Sequence, residues 1–115
     1  MYFGATFDFH CNRKILDIQS AWNAKGPYAW SAFENEQYGV YIVTRQPDIQ
    51  LKIRVLGEQP SYSLEIDCDV PSKTVETTRA SLLSILFGQL LPAVGAATVH
   101  DTSRETLRDL PNGND

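Results

Sequence analysis

Cysteine is nearly absent from this chain: Cys11 and Cys68 are the only two among 115 residues. A disulfide framework is therefore excluded, and at most one bridge has the cysteines to form, with free thiols the favoured state. A basic excess is missing as well. Ten Lys and Arg face 14 Asp and Glu for a formal net charge of -4, which argues against a phosphate-tracking surface and hence against nucleic acid as a partner. No basic leader precedes the first apolar stretch, where Asp8 already interrupts. That beginning is unlike a secretory signal and makes the cytoplasm the expected location.

Glycine-rich phosphate loops are lacking too, since Gly95 stands alone and Gly26 precedes Pro27. The two histidines, His10 and His100, do not combine with the cysteines at any zinc-like spacing. In a strand, the adjacent His10 and Cys11 would point to opposite faces, so no metal or cofactor is expected. His100, Asp101 and Ser103 supply the residue types of a nucleophilic triad but crowd them into four positions, where three groups seldom converge on one reaction point. Turn and cap chemistry explains them more economically.

What the chain does have is alternation. Ile49, Leu51, Ile53 and Val55 alternate with Gln50, Lys52 and Arg54, and Leu64, Ile66, Cys68 and Val70 alternate with Glu65, Asp67 and Asp69. Such period-two patterns describe strands with one dry and one polar face. Tyr2 to Phe9 reads the same way, with Phe3, Ala5, Phe7 and Phe9 on one side. From Tyr28 to Val70 four strands are expected, near 28–33, 38–45, 49–56 and 62–70. Their hairpin-length connections make an antiparallel meander. If the last connection centres near Glu58 and Gln59, then Lys52 and Arg54 lie across the ladder from Glu65 and Asp67.

Two segments read as helices. Ile15, Ile18 and Trp22, with Leu16, form a stripe over 12–23, with Asn12 as a possible cap; a second strand is the rival reading. Ala80 to Val99 carries no charge and reaches the length of a membrane span. Ser81, Ser84, Gln89, Pro92 and Gly95 instead predict a buried helix, from about Lys73 to Leu91 with Ser72 as its cap, passing into a strand over 96–100. Thr102 and Glu105 match a capping box for a short closing helix. The expected fold is α+β, in the order β-α-β-β-β-β-α-β, with a long helix packed on one face of an antiparallel sheet. One domain should occupy 1–110, and 111–115 should be a flexible tail.

Candidate binding residues follow from this layout. Glu65, Asp67 and Asp69 form an acidic lane on the polar sheet face, about 7 Å apart along the strand and too spread to hold one ion by themselves. Trp22, Tyr28, Trp30, Phe33, Tyr38 and Tyr41 cluster around the Gly26-Pro27 turn. Burial in the core is the simplest use of such large side chains. With Lys25, Glu34 and Glu36 alongside, an exposed aromatic rim made of Trp22, Tyr28 and Trp30 is the functional alternative.

In size, acidity and element order the chain resembles the small immunity proteins with which bacteria neutralise toxins. That resemblance implies a non-enzymatic inhibitor that docks a protein partner, favouring a basic one, through its acidic face and aromatic rim. The competing expectation is a small-molecule site or enzyme with a pocket between sheet and helix, drawing on His10, Cys68 or His100. A third is a subunit that pairs with its own copy through an exposed strand edge.

Overall fold

The computed structural model describes the backbone of residues 1–108 and the side chains of residues 1–102. The end of the expected domain and the expected tail at 111–115 lie outside the described residues. Alternation sets the first strand: in β1 (Tyr2–His10) the side chains of Phe3, Ala5, Phe7 and Phe9 are all buried. Helix α1 (Ile15–Lys25) follows, then β2 (Ser31–Asn35), β3 (Gly39–Gln46), a 3₁₀ turn (Pro47–Ile49), β4 (Leu51–Glu58) and β5 (Ser61–Asp69). Helix α2 begins as Val75–Ile85, continues through a π turn (Leu86–Leu90) and closes with Leu91–Ala93; β6 (Ala97–Arg108) comes last.

The six strands form one sheet in the order β2-β3-β4-β5-β1-β6, and every neighbouring pair is antiparallel. The α+β class, the element order and the meander are thus as the alternation predicts. The strand order, open at the level of sequence, places β1 in the interior between β5 and β6.

One face of this sheet is dry. Across it run two cross-strand rows, Ile42, Val55, Leu64 and Phe7, and beside them Thr44, Ile53, Ile66 and Ala5. Directly opposed apolar pairs are the unit of sheet stabilisation; the first row chains three of them and the second two, with Thr44 at its end. Ile18 and Trp22 of α1, with Leu82, Leu86 and Leu90 of α2, cover these rows in a single core. The two helices are also bonded to each other. Trp22 Nε1 donates to the Leu90 carbonyl at 2.7 Å in a buried setting, and its ring lies 4.8 Å from that of Trp30.

Pro92 accounts for the π turn. A proline has no N–H for the carbonyl four residues back and presses its ring against it. Here the helix widens one turn earlier, with the Leu91 N–H donating to Leu86 O. The segment then closes through Gly95, at φ 68°, into β6. No helix among the described residues is long and apolar enough to cross a membrane.

Several local expectations are corrected. Helix α1 starts at Ile15 rather than Asn12; Lys14 occupies the cap position without a side-chain bond. Leu16 is exposed, off the buried stripe. Thr74, not Ser72, precedes α2, and its Oγ1 donates to Pro71 O at 3.1 Å. Ile49 belongs to the 3₁₀ turn rather than to β4. The capping-box helix at Thr102–Glu105 is absent because that stretch continues β6: Ser103 pairs with Thr6, Thr106 with Gly4 and Arg108 with Tyr2. A long-range ladder with β1 outweighs a local capping preference worth about 1 kcal/mol.

Both cysteines are free and buried. Cys68 pairs with Phe3, whereas Cys11 lies past the His10–Ser61 pair at the other end of the same two strands. Eight residues of strand separate them by about 26 Å, far beyond the reach of a disulfide.

Candidate functional site

With both helices on the dry face, no element among the described residues covers the opposite face of the sheet, and its side chains fall into rows. One row runs His100, Asp8, Ser63 and Leu56; the next runs Thr6, Glu65, Arg54, Val43 and Ser31; a third runs Gly4, Asp67, Lys52 and Arg45. The cross-strand meeting of Lys52 and Arg54 with Asp67 and Glu65 is thus as the β4–β5 connection predicts. Its turn holds Gln59 and a cis Pro60. Gly57 at φ 116° is required just before it, because a Cβ there would lie 2.5 Å from the Ser61 carbonyl oxygen.

The acidic lane is present, and each of its members has an intramolecular partner. Arg54 reaches Glu65 Oε1 through Nε at 2.9 Å and through Nη2 at 2.5 Å. The Tyr2 hydroxyl donates to Asp67 Oδ1. Asp69 Oδ1 lies 3.1 Å from the Met1 ammonium. Among the described residues no three His, Cys, Asp or Glu side chains gather closely enough to hold a metal ion.

The aromatic cluster divides into two. Trp22 and Trp30 are 0% and 3% exposed and belong to the core, so the rim assigned to them is not at the surface. Tyr28 is half-buried, and burial, with a smaller effect from Cys68, pushes its hydroxyl pKa up. Glu34 on β2 and Glu36 in the turn after it are exposed.

The surface aromatics are instead Phe33, Tyr38 and Tyr41. Phe33 is 49% exposed and stacks on Tyr41 at 5.8 Å, as expected for residues directly paired across β2 and β3. Tyr38 meets Tyr41 edge-on at 5.9 Å, and the Arg54 guanidinium sits 5.0 Å from the Tyr38 ring centroid.

Arg54 is therefore held by a carboxylate on one side and a π face on the other. The Glu65 hydrogen bond, helped by Tyr38 and opposed by burial, raises its pKa above the ordinary value. Parity was the available signal, for Tyr41, Val43 and Arg45 share one side of β3. The apolar Val43 on that side hid it.

The two histidines also open onto this face. An open groove of about 400 Å³ is lined by Asp8, His10, Ser61, Ser63, Leu56 and His100, among others. Asp8 lies between Ser63 and His100, which puts the serine and the histidine two strand spacings, about 10 Å, apart. No proton can pass directly between them. His100 pairs with Asp8 and Asp101 with Phe7, so these neighbours alternate along β6 rather than converge. Cys68 lies in the core while His10 and His100 line the uncovered face. These three side chains therefore do not converge between sheet and helix. Burial, reinforced by Asp69, raises the Cys68 thiol pKa, which leaves the sulfur protonated and a poor nucleophile.

Compared with known proteins, the chain matches no family model and no curated sequence.

Proposed function

We propose that the chain is a non-enzymatic protein-binding domain that docks a partner on the uncovered sheet face. One observation carries this reading: Phe33, Tyr41 and Tyr38 lie in ring contact on that face beside Arg54. Tyr and Arg are the side chains that dominate binding hot spots, and here their geometry is already fixed before a partner arrives. Four rigid groups that need no ordering on contact lose little entropy when they bind.

Charge names the chemistry of the partner. Among described groups the face bears Asp8, Glu58, Glu65, Asp67 and Asp69 against Arg45, Lys52, Arg54 and the Met1 ammonium. A mildly basic protein surface complements this slight acidic excess, which would serve mainly to speed association. Blocking such a partner's own functional surface, in the manner of the immunity proteins the chain resembles, is the mode of action we assign.

The test is photo-crosslinking from position 41 in cells of the native source, identification of the captured protein, and calorimetry with that protein purified. Tyr41→Ala and Phe33→Ala should each weaken binding by about 2 kcal/mol, the hot-spot scale. Asp67→Lys should slow association and reduce its salt dependence. Phe87→Ala, an exposed aromatic on α2, is the control that should leave binding intact. Equal loss from Phe87→Ala, or none from Tyr41→Ala and Phe33→Ala, would overturn the proposal.

A further inference from the structure

The edge strand β2 has an unusual exposure. All five of its residues, Ser31 to Asn35, are exposed, so neither of its faces is covered. Burial of its own side chains contributes little; it is held by its ladder to β3, by the Phe33–Tyr41 stack and by the buried Trp30 just before it, whose N–H donates to Asn23 Oδ1.

The sheet's two edges differ. β6 pairs with β1 through three register shifts, and its Thr98 sits at φ 52°. Bulges and irregular twist of that kind discourage further pairing. β2 pairs with β3 in unbroken register from Ser31–Val43 to Asn35–Gly39. It carries no proline, lysine or bulge on its free edge.

We infer that β2 is the contact between two copies of this chain, joined antiparallel about a two-fold axis through Phe33. The sequence of the strand is self-complementary in that register. Phe33 meets its own copy, Ser31 faces Asn35 twice, and Ala32 faces Glu34 twice. No like charges are directly opposed. On the uncovered face the Phe33–Tyr41 stack meets its symmetry mate and forms one aromatic strip across the seam. An isologous contact of this type closes on itself and stops at the dimer. It merges the two sheets and sets two copies of the uncovered face side by side.

The register gives a test with opposite signs. Ala32 is exposed and points away from the Phe33–Tyr41 face, so its substitution leaves the proposed docking residues alone. Ala32→Glu opposes two pairs of carboxylates, and Ala32→Lys creates two pairs of opposite charge.

Sedimentation equilibrium of the full chain, from about 10 μM to about 1 mM at low salt, should show wild type passing from monomer to dimer. The dissociation constant should rise about 2- to 30-fold in Ala32→Glu and fall by a similar factor in Ala32→Lys. Monomeric mass throughout for wild type would overturn the inference. So would a dimer whose two Ala32 variants shift together or not at all, because that dimer uses another surface. Because Tyr41 lies near this seam, crosslinking from position 41 separates the two proposals by product: a different protein captured reads the partner-binding face, and the chain's own copy reads the seam.

Discussion

Replacing Thr44 by valine should make the protein more stable. Thr44 is 1% exposed on the dry face of β3, and its Oγ1 is buried with no hydrogen-bond partner among the described residues. It pairs with Ile53, which pairs in turn with Ile66, so its surroundings are apolar. Burying an unbonded hydroxyl costs about 1–3 kcal/mol. Valine keeps the branched shape and the preference for strand while exchanging the oxygen for a methyl group. The expected gain is about 1–2 kcal/mol. At a typical unfolding entropy per residue this raises Tm by roughly 4–8 °C. In urea the midpoint should rise with an unchanged slope, the sign of altered stability rather than altered compactness. Thr44→Ser, which keeps the hydroxyl and deletes the methyl, should lower the midpoint, with a stability loss of about 1 kcal/mol. A lower midpoint for Thr44→Val would show that the hydroxyl is bonded in solution and would refute the reasoning.

The remaining predictions concern the core and alkaline pH. Trp22→Phe leaves the Leu90 carbonyl without its buried donor and opens space beside Trp30. It should destabilise by about 2–4 kcal/mol in urea titration, and a loss below about 1 kcal/mol would mean that the α1–α2 bond contributes nothing. The pKa values of Cys68, Tyr28 and Tyr62 are all raised, chiefly by burial, from ordinary values of 9.0, 10.0 and 10.0. The folded chain thus holds these protons more tightly than the unfolded chain does. Their contribution to stability is complete below about pH 9 and is lost as pH rises through the folded-state values. Urea midpoints measured at about pH 8 and about pH 10.5 should fall with pH, and a flat or rising trend contradicts the assignment.

Legibility followed the period of the pattern. Over Leu51–Val55 and Leu64–Asp69 apolar residues alternate with charged ones, which sets the faces and the register and leads to the Arg54–Glu65 pair. β3 was readable as a strand but not as a face, because Val40, Tyr41, Ile42 and Val43 run without a polar interruption. The same ambiguity concealed which aromatics reach the surface. Trp22 and Trp30 are drawn inside by a helix-to-loop contact, where Trp30 N–H donates to Asn23 Oδ1 at 2.6 Å, and no local pattern announces that bond. Thr102–Glu105, which carries a local capping motif, folds as strand for a related reason. Its strand character comes from β1, nearly the whole chain away, and a capping motif was the nearest local explanation.

The interior position of β1 also orders the steps of folding. β2 to β5 can assemble from neighbouring hairpins, each closing a short loop. β1 has no partner until β5 exists, and joining them closes a loop of roughly fifty residues, slow relative to hairpin closure. β6 has no neighbour but β1, so it must come after. On a ribosome the phenylalanines of β1 would therefore emerge well before β5 and stay unsheltered until it arrives, which leaves this strand open to aggregation during synthesis.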